Sequence, residues 1–218
     1  SYFKNKKLNL PFITAKIALS KDHFSINKKA KWITNKLSRK IVHLLRSKHD
    51  CILSTSKTIN SDNSLLNCRI NGLNNYKPDV FIIDLNLKLK KNISLIKFNK
   101  KRHTFLITKK ENYKKSLIYK KMGFKILFVN SLNNKKNFYS LFKEVYKLGY
   151  SRIMVEAGLT FLGSLLKDKL IDDFYLFKSD KNLKKNGYNN ASLNIFEKIN
   201  FKNVKINLEN DKLYRKEF

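Results

Sequence analysis

The regular exchange of helical and strand-like periodicity after residue 112 restricts the fold of this chain more than any other feature. Apolar spacing predicts a helix from Asn112 to Met122 that stops at Gly123, followed by a strand from Lys125 to Val129. The pattern repeats with a helix from Phe138 to Leu148 stopping at Gly149, and a strand from Arg152 to Glu156. A third round is a helix from Thr160 to Lys169 and a strand from Phe174 to Lys178. A glycine just past a helix supplies the left-handed residue that ends it. Strands joined through helices run parallel, with both faces of the sheet covered. Val204–Leu208 and Leu213–Lys216 follow without a helix between them and read as an antiparallel hairpin closing a sheet edge. The expectation is an α/β domain with a mixed, mostly parallel central sheet and a C-terminal antiparallel hairpin.

The first half fits the same plan. From Phe12 to Ser20 the chain alternates, with Ile13, Ala15, Ile17 and Leu19 on one face and Thr14, Lys16 and Ala18 on the other. Thr34 can cap a helix running to Lys48, whose apolar stripe is Leu37, Ile41, Leu44 and Leu45. Cys51–Ser54 reads as a short buried strand and Asn60–Asn75 as a polar loop. Val80–Asp84 and Phe105–Thr108 read as strands separated by the lysine-rich Lys88–Lys101. No linker rich in Pro, Gly or Ser interrupts the 218 residues, so one domain is expected over 1–218. A chain of this length buries roughly 70% of its unfolded surface and needs no disulfide or metal staple. No apolar run approaches the roughly 18 residues of a membrane span, two cysteines make no disulfide framework, and no secretory signal opens the chain. A reducing cytoplasm is the expected compartment.

Forty-seven Lys+Arg against 16 Asp+Glu give a net charge of +31. That would suit a nucleic-acid binder, but 41 of the 47 are lysine and only 6 arginine, whereas base and phosphate reading favours the arginine fork. The chain also holds 27 Asn and 20 Ile but only 6 Gly, 5 Ala and 2 Pro, the signature of an A/T-rich coding sequence. The lysines are dispersed along the chain. They read as a solvated surface that attracts phosphorylated ligands, with nucleic acid not expected as the partner.

One junction stands out for chemistry: Val155-Glu156-Ala157-Gly158-Leu159-Thr160-Phe161-Leu162-Gly163-Ser164. A strand ends at Glu156, Gly158 lets a ligand approach the backbone, and a helix starts at once. Such a junction either aims amides at a dinucleotide diphosphate or is a plain turn. Lys16 is either a surface lysine or a group facing substrate, and the single tryptophan, Trp32, either a core anchor or a cofactor platform. Arg46 and Arg69 are scarce residues in a lysine-biased chain, suggesting a forked grip on phosphate. His23, His43, His49, His103, Cys51 and Cys68 show no zinc-like pairing, and neither a nucleophile elbow nor a phosphate-binding P-loop occurs.

Taken in order, several stretches resemble the reductase domain of bifunctional riboflavin-biosynthesis deaminase–reductase proteins, a dihydrofolate-reductase-like three-layer fold. They are Pro11 to Asp22, Lys31-Trp32-Ile33-Thr34, Leu44-Leu45-Arg46, Ile52-Leu53 through Thr58 to Asp62 and Arg69, Ile82-Ile83-Asp84, and Val155-Glu156-Ala157-Gly158 through Leu170-Ile171-Asp172. The resemblance implies NADPH-dependent reduction of the ribosyl unit of 5-amino-6-(5-phosphoribosylamino)uracil to a ribityl chain. It implies cofactor contacts at Ala18, Trp32, Thr58, Asp62, Gly158, Leu159, Thr160, Phe161, Leu162, Gly163 and Ser164. Substrate contacts are implied at Arg46, Leu66, Arg69 and Glu156, with Lys16 and Glu156 as the catalytic pair and no metal. The chain departs from the family pattern at His23 (usually glycine), Ala30 (serine), Asn63-Ser64 (Asp-Pro), Leu85 (serine) and Leu159 (proline). The companion zinc deaminase signature is absent. The chain is therefore expected to be the C-terminal part of a longer protein, or a separate reductase served by a deaminase domain, and to form a homodimer. The alternatives are a degenerate reductase domain kept for assembly, a reductase of a pterin, and a basic nucleic-acid-binding module.

Overall fold

The computed structural model describes residues 2–73, 78–99 and 101–218; Asn74, Asn75 and Lys100 of the segments above lie outside them. The strands are β1 Phe12–Leu19, β2 Ile26–Asn27, β3 Cys51–Thr55, β4 Asp79–Ile83, β5 Thr104–Lys109, β6 Lys125–Val129, β7 Arg152–Glu156, β8 Asp173–Lys178, β9 Gly187–Tyr188, β10 Lys202–Val204 and β11 Lys212–Glu217. The helices are α1 Tyr2–Leu8, α2 Lys36–Ser47, α3 Ser56–Asp62, α4 Tyr113–Lys121, α5 Lys135–Lys147, α6 Leu159–Lys167 and α7 Asn194–Glu197. They fall into two compact units, Ser1–Phe12 with Arg46–Met154, and Ile13–Leu45 with Val155–Phe218. The fold is α/β, with mostly parallel strands and antiparallel strands at the C-terminus.

In the first unit the strands run in the order β7-β3-β4-β5-β6, and the β3–β4, β4–β5 and β5–β6 pairs are parallel. Cys51, Ile52, Leu53, Val80, Phe81, Ile82, Leu106 and Ile107 are all nearly inaccessible. Consecutive buried residues mean both faces are covered, as crossover helices require. Phe81 sits opposite Phe105 in the register and their rings stack at 4.2 Å, with Tyr150 edge-on to Phe81. The Tyr150 hydroxyl donates to Asp79 at 2.5 Å. Burial first, then that carboxylate, push the phenol well above its usual range.

In the second unit the order is β10-β11-β8-β1. β1 pairs β8 in parallel, Ala15 opposite Phe174, while β11 runs antiparallel to both β8 and β10. Asp173 is buried and takes the Arg215 guanidinium as a fork, with Nε and Nη2 at 2.8 and 2.9 Å. Leu159, Leu162 and Leu165 of α6 and Phe174 and Phe177 of β8 belong to the buried core. Each such side chain contributes about 1.5–3 kcal/mol.

Several boundaries differ from the sequence expectation for identifiable reasons. The cap of α2 is Asn35, whose Oδ1 accepts from the Ser38 N–H at 2.9 Å, while Thr34 offers its carbonyl to Arg39. Leu44 of the expected stripe is exposed and Val42 is buried in its stead. α5 begins three residues earlier than Phe138, because Asn134 caps it through the Asn137 N–H at 3.0 Å. The hairpin pairs Lys202–Val204 with Leu213–Arg215 rather than starting at Val204. α3 replaces the start of the expected loop: Thr55 caps it by accepting from the Thr58 N–H. Gly123 and Gly149 do end their helices, at φ +89° and +94°.

Candidate functional site

In the second unit the sheet sets two predicted residues side by side. β7 is the neighbour of β1, and the Phe12 N–H donates to the Ser151 carbonyl at 2.8 Å. In a parallel pair that bond matches Phe12 with Arg152, and four residues further along both strands it matches Lys16 with Glu156. Both side chains leave the same face and both are half-buried. The Lys16 ammonium also stands 5.9 Å from the centre of the Phe177 ring. Lys16 therefore lies beside a carboxylate and an aromatic face rather than trailing into solvent.

Two residues beyond Glu156 comes Gly158, which precedes α6 at φ −72° and ψ 168° and gives the helix no side-chain cap. That backbone conformation suits any residue, and a Cβ there would meet only the Asn190 carboxamide, 3.5 Å away. The protein's own backbone and packing therefore do not demand glycine here. Leu159 and Leu162 are 1% and 0% exposed, and the Leu162 N–H already donates to the Gly158 carbonyl at 3.1 Å, so only the Leu159 amide of the two is left for a ligand. Thr160 and Ser164 are exposed, and Phe161 and Gly163 half-buried.

Sequence reasoning missed Asn190. Its Oδ1 is buried with no hydrogen-bond partner among the described residues. Buried orphan acceptors cost about 1–3 kcal/mol and mark places where a missing donor belongs. Its neighbour Asn189 fixes it in place, accepting from the Ser25 N–H at 2.8 Å and donating to the His23 carbonyl at 2.9 Å. Asp22, at the end of the β1 motif, accepts from the Ser20 hydroxyl and the Leu183 and Lys184 N–H groups at 2.6, 3.0 and 2.7 Å. Burial acts to raise its carboxyl, but these donors outweigh it and lower the pKa to about 2. The uncapped helix, the unfilled Cβ position and the orphan acceptor fit a dinucleotide, whose diphosphate takes amides and whose hydroxyls or carboxamide supply a donor.

Ala18 is half-buried on the same face of β1 as Lys16. Trp32 is no core anchor: it is 50% exposed, with Lys31 and Arg39 at 5.3 and 5.0 Å from its ring centre. His23 takes φ +66° where the family pattern has glycine, so this position does need the left-handed region. Ala30 is exposed.

The first unit holds the other predicted residues. Thr58 and Asp62 lie four apart on α3 and share one face. Asp84 closes the neighbouring turn, accepting from the Ser56 hydroxyl and the Lys88 and Leu89 N–H groups at 3.0, 2.8 and 2.7 Å. Leu85, next to it, is half-buried and receives the Asn112 side chain on its carbonyl. Arg46 and Arg69 converge on one residue: Arg46 Nη1 donates to the Asn67 carbonyl at 3.0 Å and Arg69 Nη1 to Asn67 Oδ1 at 2.7 Å. Burial and then the Arg46 charge lower the Arg69 pKa, which places two cations within electrostatic reach of each other. Leu66, just before Asn67, is buried and holds φ +47°. Among the described residues no three His, Cys, Asp or Glu side chains gather where they could hold a metal. No helix among them is long and apolar enough to cross a membrane.

Comparison with known proteins gives a consistent result. Residues 11–181 match the family described as the RibD C-terminal domain. The 5-amino-6-(5-phosphoribosylamino)uracil reductase of Buchnera aphidicola from Acyrthosiphon pisum is 33% identical, over 71% of this chain and 77% of its own length. The chain spans about half the length of the curated RibD relatives it matches, 47% and 51% for those of Aquifex aeolicus and Buchnera aphidicola from Baizongia pistaciae. The fold is that of RibD from Acinetobacter baumannii, with a TM-score of 0.79 at 20% identity over 98% of this chain and 59% of that one. It is equally that of the riboflavin biosynthesis reductase of Saccharomyces cerevisiae, with a TM-score of 0.74 at 17% identity over 99% and 97%.

Proposed function

Because this chain belongs to the RibD C-terminal domain family, an oxidoreductase family, we propose that it reduces the ribosyl group of 5-amino-6-(5-phosphoribosylamino)uracil to the ribityl group with NADPH. The observation that carries the reading is the register that sets Lys16 against Glu156, two residues before the uncapped Gly158. In this reading the chain works as one cytoplasmic reductase domain and as a homodimer, and a deaminase domain, in the same or a separate chain, supplies its substrate.

Opening of the ribosylamine ring exposes an electrophilic carbon, and NADPH, when bound, supplies the hydride that it accepts. The chain's own residues do the rest. The amides of Leu159 and Thr160 that follow Gly158 hold the diphosphate, and Asn190 offers its free acceptor to a ligand donor. Ala18 and Trp32, in the same unit, add to the cofactor contacts. Lys16 donates the proton that the oxygen or nitrogen needs after reduction, and Glu156 orients the substrate. Arg46 and Arg69 clamp the phosphate, and Leu66 packs against the substrate.

The test is NADPH oxidation by the purified chain with the deaminated phosphoribosylaminouracil as substrate. Turnover is expected, falling at least a hundredfold in Glu156→Gln or Lys16→Met, in line with the roughly 10²–10⁴-fold value of a positioned proton-transfer group. A folded chain that consumes no NADPH with this substrate refutes the activity and leaves a domain kept for assembly.

A further inference from the structure

The third arginine of the first unit, Arg102, lies outside the stretches that carry the family resemblance. It is 6% exposed, and its terminal nitrogens hold main-chain carbonyls: Nη1 donates to Leu66 at 2.7 Å and to Pro78 at 3.1 Å, and Nη2 donates to Leu65. Two of those carbonyls flank a strained point, the buried Leu66 at φ +47°. A side chain in the left-handed region costs about 1–2 kcal/mol and persists only where its surroundings over-determine it. Immediately after Leu66 comes Asn67, whose carbonyl receives Arg46 and whose side chain receives Arg69. Arg102 itself feels burial and then the Arg46 charge, which together bring its pKa down to about 10 despite the opposing pull of Asp79. The two Asp79 oxygens are already taken by the His103 N–H and the Tyr150 hydroxyl.

We propose that Arg102 is the positioning residue of the arginine grip: by holding the Leu65–Leu66 turn in its strained form it fixes Asn67, which keeps the Arg46 and Arg69 guanidiniums side by side for the phosphate of a phosphosugar. Arg102 does not touch the ligand. It sets the turn on which both contacting arginines are registered. Lysine cannot replace it, because three carbonyls from two separate segments need donors spread over a planar fork and not one ammonium point. This inference rests on the phosphosugar reading given above and concerns residues of the first unit only.

Ribose 5-phosphate is the probe, titrated calorimetrically into the full chain, with NADPH titrated separately by fluorescence and thermal unfolding recorded for each variant. Arg102→Lys is expected to bind ribose 5-phosphate at least tenfold more weakly while its NADPH affinity stays within twofold. Equal loss of both ligands marks a merely structural residue and overturns the proposal, as does unchanged ribose 5-phosphate affinity. Arg46→Met separates this from the underlying reading. If Arg46→Met binds ribose 5-phosphate normally, the phosphate grip itself is refuted. If Arg46→Met loses binding and Arg102→Lys does not, only the role of Arg102 falls. A readout in the unaltered chain covers variants that fail to fold: ribose 5-phosphate must slow amide exchange at Leu66, Asn67 and Cys68, and exchange that is unchanged there overturns the proposal.

Discussion

Gly158→Ala separates what the fold needs from what a ligand needs. The backbone at Gly158 lies at φ −72°, where alanine is unstrained, and the new Cβ would stand 3.5 and 3.9 Å from the Asn190 Nδ2 and Oδ1, ordinary contact distances. Replacing glycine at a compatible φ stabilises by about 0.4–1 kcal/mol through the unfolded chain, and alanine is a poorer N-cap by a similar amount. The two effects offset, so unfolding is expected within about 1 kcal/mol of the parent. Ligand binding is a different matter. A methyl group in front of the helix stands where a diphosphate oxygen must come to meet the amides, and losing one hydrogen bond to a charged group costs about 1.5–3 kcal/mol. That corresponds to a roughly ten- to hundredfold rise in Kd. Fluorescence titration of NADPH and urea unfolding, on the same preparations, measure the two quantities. A variant that binds NADPH as tightly as the parent places the diphosphate elsewhere and refutes the cradle; a variant that loses stability and affinity together refutes the claim that the protein tolerates a side chain there.

Two further outcomes follow from the same unit. Gly187→Ala puts a methyl group inside the Phe24 ring and 2.8 Å from the Leu183 Cβ, so it is expected to cost about 1–3 kcal/mol and, at about 2–4 °C per kcal/mol, to lower Tm clearly; parent-like melting would contradict the packing described. Asp22 has its pKa lowered to about 2 in the folded chain against ~3.9 unfolded, so the unfolded chain binds more protons between those values and stability drops as pH falls from about 4 toward 2. Urea unfolding of the parent and Asp22→Asn should therefore show a gap that is full above about pH 5 and narrows below pH 4; a gap independent of pH would refute the assignment.

Much of this architecture was legible because a few residues act as punctuation. Gly123 and Gly149 could be read as helix stops since only a left-handed position explains a glycine at those points, and both occupy one. The Lys16–Glu156 pairing followed from family resemblance and needed the β1–β7 register to become geometry. α3 escapes a periodicity reading because Ser56–Asp62 has no apolar stripe; its signal is Thr55, a cap five residues before Asn60. Asn190 could not be singled out among 27 asparagines, since what distinguishes it is the absence of a partner for one oxygen, a property of the folded chain alone. Arg102 was within reach. The scarcity that drew attention to Arg46 and Arg69 applies equally to it, but it sits in a basic run, Lys101-Arg102-His103, where one more cation looks like surface.

The stitching around Asp22 decides how freely the segment that carries Asn190 can move. Lys21 donates to the Lys181 carbonyl, Asp22 holds Leu183 and Lys184, Asn189 bridges His23 and Ser25, and Lys28 donates to Asn186. Residues 20–28 and 181–190 are thus buttoned together along their whole length, and Asn190 rides on the last button. Lifting it from Gly158 is therefore not a single rotamer flip but a concerted unfastening of two strips of chain.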